Sequence, residues 1–155
     1  MIEITIPGVG ELSISHLVSD VNGTIAVDGI LLPGVVEAYE KLSGQVDIHL
    51  LTADTHGKQK ELDRQLSLEA VRIPRGAEAQ AKADYVRQLH GGVAAMGQGA
   101  NDAGMLEAAD VGICIVSPEG TAVGTLIKAD LIVPDILAGL ELLLKPVRLT
   151  ASLRR

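Results

Sequence analysis

The sequence has no Trp and no Phe, and Tyr39 and Tyr85 are its only tyrosines. Proteins that hold single-stranded nucleic acid do so by stacking bases on aromatic platforms, which this chain cannot offer. A formal net charge of -7 also opposes a phosphate backbone, so a nucleic-acid partner is excluded. Cysteine is nearly absent. Cys114 stands alone inside the apolar run VGICIV, where it reads as a small buried hydrophobe rather than a catalytic thiol. A lone cysteine builds no disulfide framework, which fits a reducing compartment. No apolar run approaches the ~20 residues that span a bilayer. The start MIEITIPGVGE has neither the basic residues nor the apolar stretch of a signal peptide, so the expectation is a cytoplasmic protein without membrane insertion. The four histidines, His16, His49, His56 and His90, show no metal-ligand spacing.

What remains is aliphatic. Of 155 residues 47% are hydrophobic, enough for a single domain over 1–155 with a substantial core of Val, Ile, Leu and Ala. Residues 2–6 and 11–15 alternate apolar and polar around PGVG and predict a β-hairpin over 1–15. The core, 16–144, then alternates short apolar runs with amphipathic stretches. Strands are expected at 16–20, 46–52, 70–73, 93–97, 111–116 and 131–133. Most are continuously apolar, as parallel strands covered on both faces are. Helices are expected between them, the first ending at Ser43-Gly44, the second capped by Asp54 or Thr55, and later ones over 102–109, 120–129 and 135–144. This alternation predicts a Rossmann-like, doubly wound α/β fold with a mainly parallel sheet. Asp28, in AVDG, reads as a turn residue, and Asp110 and Asp130 as residues where loops begin. The basic tail, 145–155, reads as a solvated terminus.

Two short segments carry chemistry. DVNGT, Asp20 to Thr24, puts a carboxylate at the end of an apolar strand, and GQGAND, Gly97 to Asp102, follows another such run and opens a helix. In a doubly wound sheet ligands bind beyond the carboxyl ends of the strands. Asp20, Thr52 and the 97–102 loop therefore meet on one rim. Carboxylates converging on such a rim suit Mg²⁺, which takes hard oxygen ligands together with phosphate and water.

DVNGTIAVDG, LLTADT, GAEAQAKADYV and GQGANDAGMLEAADVGI, in that order, resemble the four motifs of the haloacid dehalogenase (HAD) superfamily of aspartyl-phosphate enzymes. The resemblance is to the phosphorylation domain of P-type ATPases and its soluble stand-alone relatives, and it runs from about Leu17 to Leu144. It implies a capless, Mg²⁺-dependent phosphohydrolase. Asp20 would be the nucleophile, and Asp20, the Asn22 carbonyl and Asp102 would hold the metal. Thr52, Ala53, Lys82 and Asn101 would bind the phosphoryl group, and Thr24 would hold the loop. The substrate would be a small phosphorylated molecule or a phosphoprotein, with homo-oligomer formation left open. Two departures stand out. Asn22 occupies the place of the family's acid–base Asp and Gln98 that of a metal-binding Asp, which implies slow turnover. The rival reading is a catalytically impaired phosphate-binding or protein-interaction module, regulatory in role, on the same fold.

Overall fold

The computed structural model describes residues 1–54 and 57–155. Thr55, the alternative cap for the second helix, and His56 lie outside them. The first strand, β1 (Ile2–Ile6), turns back on β2 (Gly10–Asp20) in antiparallel register, with Ile2 opposite Ile14 and Ile6 opposite Gly10. The hairpin arm and the strand expected at 16–20 are thus one continuous strand. Beyond Ile14 its character changes. Leu17, Val18, Ser19 and Asp20 are all buried, because β2 there runs parallel between two neighbours and is covered on both faces.

Those neighbours are β5 (Asp47–Thr52), which pairs with His16–Asp20, and β7 (Gly92–Gly97), which pairs with Ile14–Ser19. With β6 (Val71–Arg72), β8 (Val111–Ile115) and β9 (Leu131–Val133), the sheet order is β6-β5-β2-β7-β8-β9. All these pairs are parallel. The chain winds outward from β2 through β5 to β6, then returns to β7 on the other side of β2. The carboxyl end of β2 is therefore the switch point, where the two halves of the sheet part and leave a crevice. The fold class expected from the sequence is the one observed.

Two helical layers cover the sheet. On one face α1 (Val35–Ser43), α6 (Ile136–Leu144) and α7 (Pro146–Leu153) bury Tyr39, Leu42, Leu140, Leu143 and Leu149 with the isoleucines of β1 and β2. On the other, α3 (Glu78–Gln88) and α4 (Ala103–Ala108) pack Val86, Met105 and Leu106 on Val18, Ala95 and Cys114. Burial raises the Cys114 thiol pKa, in keeping with a small core hydrophobe. The tail expected to be solvated is instead helical. Leu149 is fully buried in α7, because Pro146 starts that helix and its apolar face meets β1.

The remaining elements are short. α2 is Gln59–Leu66, and Asp54 accepts a bond from the Gln59 N–H at 3.1 Å. α5 is Val123–Lys128. A hairpin, β3 (Ala26–Val27) and β4 (Ile30–Leu31), turns on Asp28 and Gly29, both at positive φ, as a two-residue type I′ turn requires. Asp28 is the turn residue it appeared to be, although the strands around it are too short for a sequence pattern. Helix α3 is also pinned from below. His16 and His49 face each other at 3.1 Å, and the His49 Nδ1 lies 2.9 Å from the Tyr85 hydroxyl, one turn beyond Lys82. Burial, then the neighbouring His16, lowers the His49 pKa and favours its neutral form. No helix among the described residues is long and apolar enough to cross a membrane.

Candidate active site

Strand β2 ends in a buried carboxylate. Beyond Asp20 the chain folds into a knot in which the N–H groups of Thr24, Ile25 and Ala26 all donate to the Val21 carbonyl, at 3.0 to 3.1 Å. Gly23 makes that turn possible. Its φ is +81°, and a Cβ there would overlap the Gln98 side-chain amide. The turn returns Thr24 beneath the nucleophile candidate, so that the Thr24 hydroxyl donates to Asp20 Oδ2 at 3.0 Å.

The other Asp20 oxygen belongs to Lys82. This lysine lies mid-way along α3, is 1% exposed, and bridges two carboxylates. Its Nζ is 2.6 Å from Asp20 Oδ1 and 2.7 Å from Asp102 Oδ1. Burial alone would lower its pKa, but the carboxylates of Asp20 and Asp102 outweigh that and raise it, so the ammonium stays charged. Asp20 responds in the opposite sense to an ordinary paired carboxylate. Burial, reinforced by the Asp102 charge, raises its pKa to about 7 against the pull of Lys82 and Thr24.

Asp102 sits on a short 3₁₀ turn, Ala100–Asp102, that leads into α4. Its second oxygen accepts from the backbone N–H groups of Gln98 (3.0 Å) and Gly99 (2.9 Å). Strand β7 must end in glycine for this to fit, since a Cβ at Gly97 would lie 2.6 Å from the Asp102 carboxyl carbon. The 97–102 loop is braced from α5, where the Thr125 hydroxyl donates to the Gly99 carbonyl at 2.6 Å and the Ala122 N–H to the Gln98 carbonyl at 2.9 Å. Nothing in the sequence of α5 signals this brace, because a hydroxyl facing a loop leaves no periodic pattern.

The carboxyl ends of β2, β5 and β7 enclose an open cleft of about 380 Å³. Asp20, Asn22, Ala53, Lys82 and Asn101 line it, together with Gln98, Gly99 and Ala100. Thr52, at the end of β5, joins through Asn22, whose amide donates to the Thr52 hydroxyl oxygen at 3.3 Å. That oxygen also accepts from the Asp54 N–H at 2.9 Å, which leaves the Thr52 O–H free as a donor. Asp102 stands behind Lys82, fully buried, and does not line the cleft. A larger depression of about 620 Å³, between β4 and α2, contains none of these residues.

The oxygens that could ligate a divalent cation are already engaged by donors of the chain itself. Both oxygens of Asp102 are taken by three N–H donors, and both oxygens of Asp20 already accept a hydrogen bond. The Gln98 side-chain amide donates to the Asn22 carbonyl at 3.1 Å, the oxygen the sequence offered as a metal ligand. Among the described residues no three His, Cys, Asp or Glu side chains form a group able to hold a metal ion. For Mg²⁺, which wants near-octahedral oxygens at about 2.0–2.1 Å, the set fits poorly.

No protein-family model matches the chain. An uncharacterized protein of Methanocaldococcus jannaschii is 42% identical over 62 residues, which are 40% of this chain and 67% of that protein. Among solved structures, a zinc-transporting PIB-type ATPase in its E2.Pi state is 28% identical over 79% of this chain, with a TM-score of 0.64. The chain spans only 20% of that ATPase. The 3-deoxy-D-manno-octulosonate 8-phosphate phosphatase of Moraxella catarrhalis, in complex with magnesium, phosphate and KDO, superposes over 86% of this chain and 87% of its own, with a TM-score of 0.64 at 16% identity. At that identity the likeness is one of fold.

Proposed function

We propose that this chain is a slow phosphohydrolase of the haloacid dehalogenase type, the superfamily whose fold it shares, acting on a small phosphorylated substrate or a phosphoprotein. The observation that carries the reading is the Asp20 carboxylate, held at 2.6 Å by a buried ammonium and opening into a cleft at the switch point of the sheet. A phosphomonoester in that cleft would lie against Lys82, the Thr52 hydroxyl, Ala53 and Asn101. An Asp20 oxygen attacks phosphorus, the P–O bond to the leaving group breaks, and an aspartyl phosphate forms. The Lys82 charge stabilises the oxygens that gain charge in this step. Water then attacks the aspartyl phosphate, releasing inorganic phosphate and restoring the carboxylate.

Asn22 limits both steps. An amide can neither protonate the leaving oxygen nor deprotonate the attacking water, and missing acid–base help costs about 10²–10⁴-fold in rate. The same amide favours a second reading. With Asn22 tied to Thr52 and Gln98 tied to Asn22, the cleft could retain phosphate without turning it over, as a binding or regulatory module would. Turnover of p-nitrophenyl phosphate separates the two. The proposal predicts slow phosphate release that Asp20→Asn abolishes. Phosphate binding with no release in either chain would favour the module.

A further inference from the structure

The cleft carries its own substitute for a cation. Three oxygens stand where the sequence offered metal ligands, and each is already engaged by a donor of the chain itself. Asp20 Oδ1 receives Lys82 Nζ at 2.6 Å, Asp102 Oδ1 receives the same ammonium at 2.7 Å, and the Asn22 carbonyl receives the Gln98 amide at 3.1 Å. Lys82 is 1% exposed and Asp102 is fully buried, so neither exchanges readily with solvent. Gln98 is held close. Its backbone N–H is fixed to Asp102 and its carbonyl to Ala122, and it packs on the side of Gly23 where any Cβ would collide with its amide.

The charge available to a cation is small. Two carboxylates and one ammonium leave only one net negative charge, and the neutral amide at the third position adds none. Mg²⁺ gives up its water reluctantly and needs carboxylate ligands in near-ideal geometry to do so. A primary amide supplies at best one neutral oxygen. In the orientation seen, it presents an N–H to the carbonyl that a cation would need.

We propose that Gln98 closes this site to divalent cations, and that the cleft handles its phosphoryl group on Lys82 and hydrogen-bond donors alone. The inference deepens the proposed function and rests on it for the role of the cleft, but it can be read without any substrate. Titrating the purified full chain with Mn²⁺ and following the free-ion paramagnetic resonance signal measures uptake directly. The wild-type chain should take up no Mn²⁺ through the millimolar range. Gln98→Asp, which puts a third carboxylate where the amide is, should bind one Mn²⁺ per chain, tighter than the wild type by about tenfold or more. Stoichiometric uptake by the wild type would overturn the proposal, as would a folded Gln98→Asp that still takes up none. Should that variant fail to fold, the Gln98 side-chain amide resonances of the wild-type chain serve instead. Unmoved by Mg²⁺ they sustain the proposal, and displaced by it they refute it. Failure of the proposed function is a different result, an absence of phosphate release or binding whatever the metal uptake.

Discussion

Replacing Lys82 by methionine removes the ammonium that bridges two buried carboxylates while keeping a side chain of similar length. Packing changes little, so the cost is electrostatic. Asp20 and Asp102 are 6% and 0% exposed, and each loses its ion-pair partner. Breaking a buried pair by deleting one partner costs about 3–5 kcal/mol, because the remaining charge stays desolvated. A domain has only about 5–15 kcal/mol to lose, so Lys82→Met should remain folded but only marginally. Urea unfolding followed by circular dichroism measures this as a lower midpoint at unchanged slope. The deficit should shrink as pH falls and Asp20 takes up its proton. Lys145→Met, which removes an exposed i,i+4 pair with Glu141, is the control and should leave the midpoint nearly unchanged. A loss below about 1 kcal/mol for Lys82→Met, or one that does not vary with pH, would refute the view that Lys82 neutralises this pair.

Asp20→Asn should change the pH dependence of stability in a defined direction. The folded-state pKa of Asp20 is raised to about 7, above the ordinary carboxylate value of 3.8, so the native state holds this proton more tightly than the unfolded chain. Asp20 therefore costs nothing below pH 3.8, and its penalty grows as pH rises from there to about 7, beyond which it is constant. The variant should gain stability relative to wild type across that window, seen as a difference in urea midpoints that widens from pH 4 to pH 8. A difference that narrows would contradict the assigned shift. Asn22→Asp should raise p-nitrophenyl phosphate turnover by at least about tenfold if missing acid–base help limits the rate. Unchanged turnover would place the limit elsewhere.

Much of this was legible in the sequence, for identifiable reasons. The parallel strands announce themselves because burial on both faces leaves continuous apolar runs such as VAAM and VGICIV. The convergence of Asp20, Thr52 and the 97–102 loop follows from strand direction alone, since all three stand at carboxyl ends. What the pattern hides are contacts across the chain. Thr125 and Ala122 brace the loop through single hydrogen bonds, and the Gln98–Asn22 link depends on the room that Gly23 leaves. Neither leaves a periodicity. The β3–β4 hairpin is missed because two-residue strands have no pattern to read, though its Asp28-Gly29 turn was visible. The tail misleads through composition, for four basic residues mask the buried Leu149 between them.

The most direct test of the account is a search for the covalent intermediate. The full chain is incubated with acetyl phosphate, quenched in acid to preserve an acyl phosphate, digested, and its peptides are read by mass spectrometry. The account predicts one phosphoryl adduct on the peptide containing Asp20, removed by hydroxylamine and absent from Asp20→Asn. An adduct that persists in Asp20→Asn, or none in a wild-type chain that still releases phosphate, would contradict a nucleophilic Asp20.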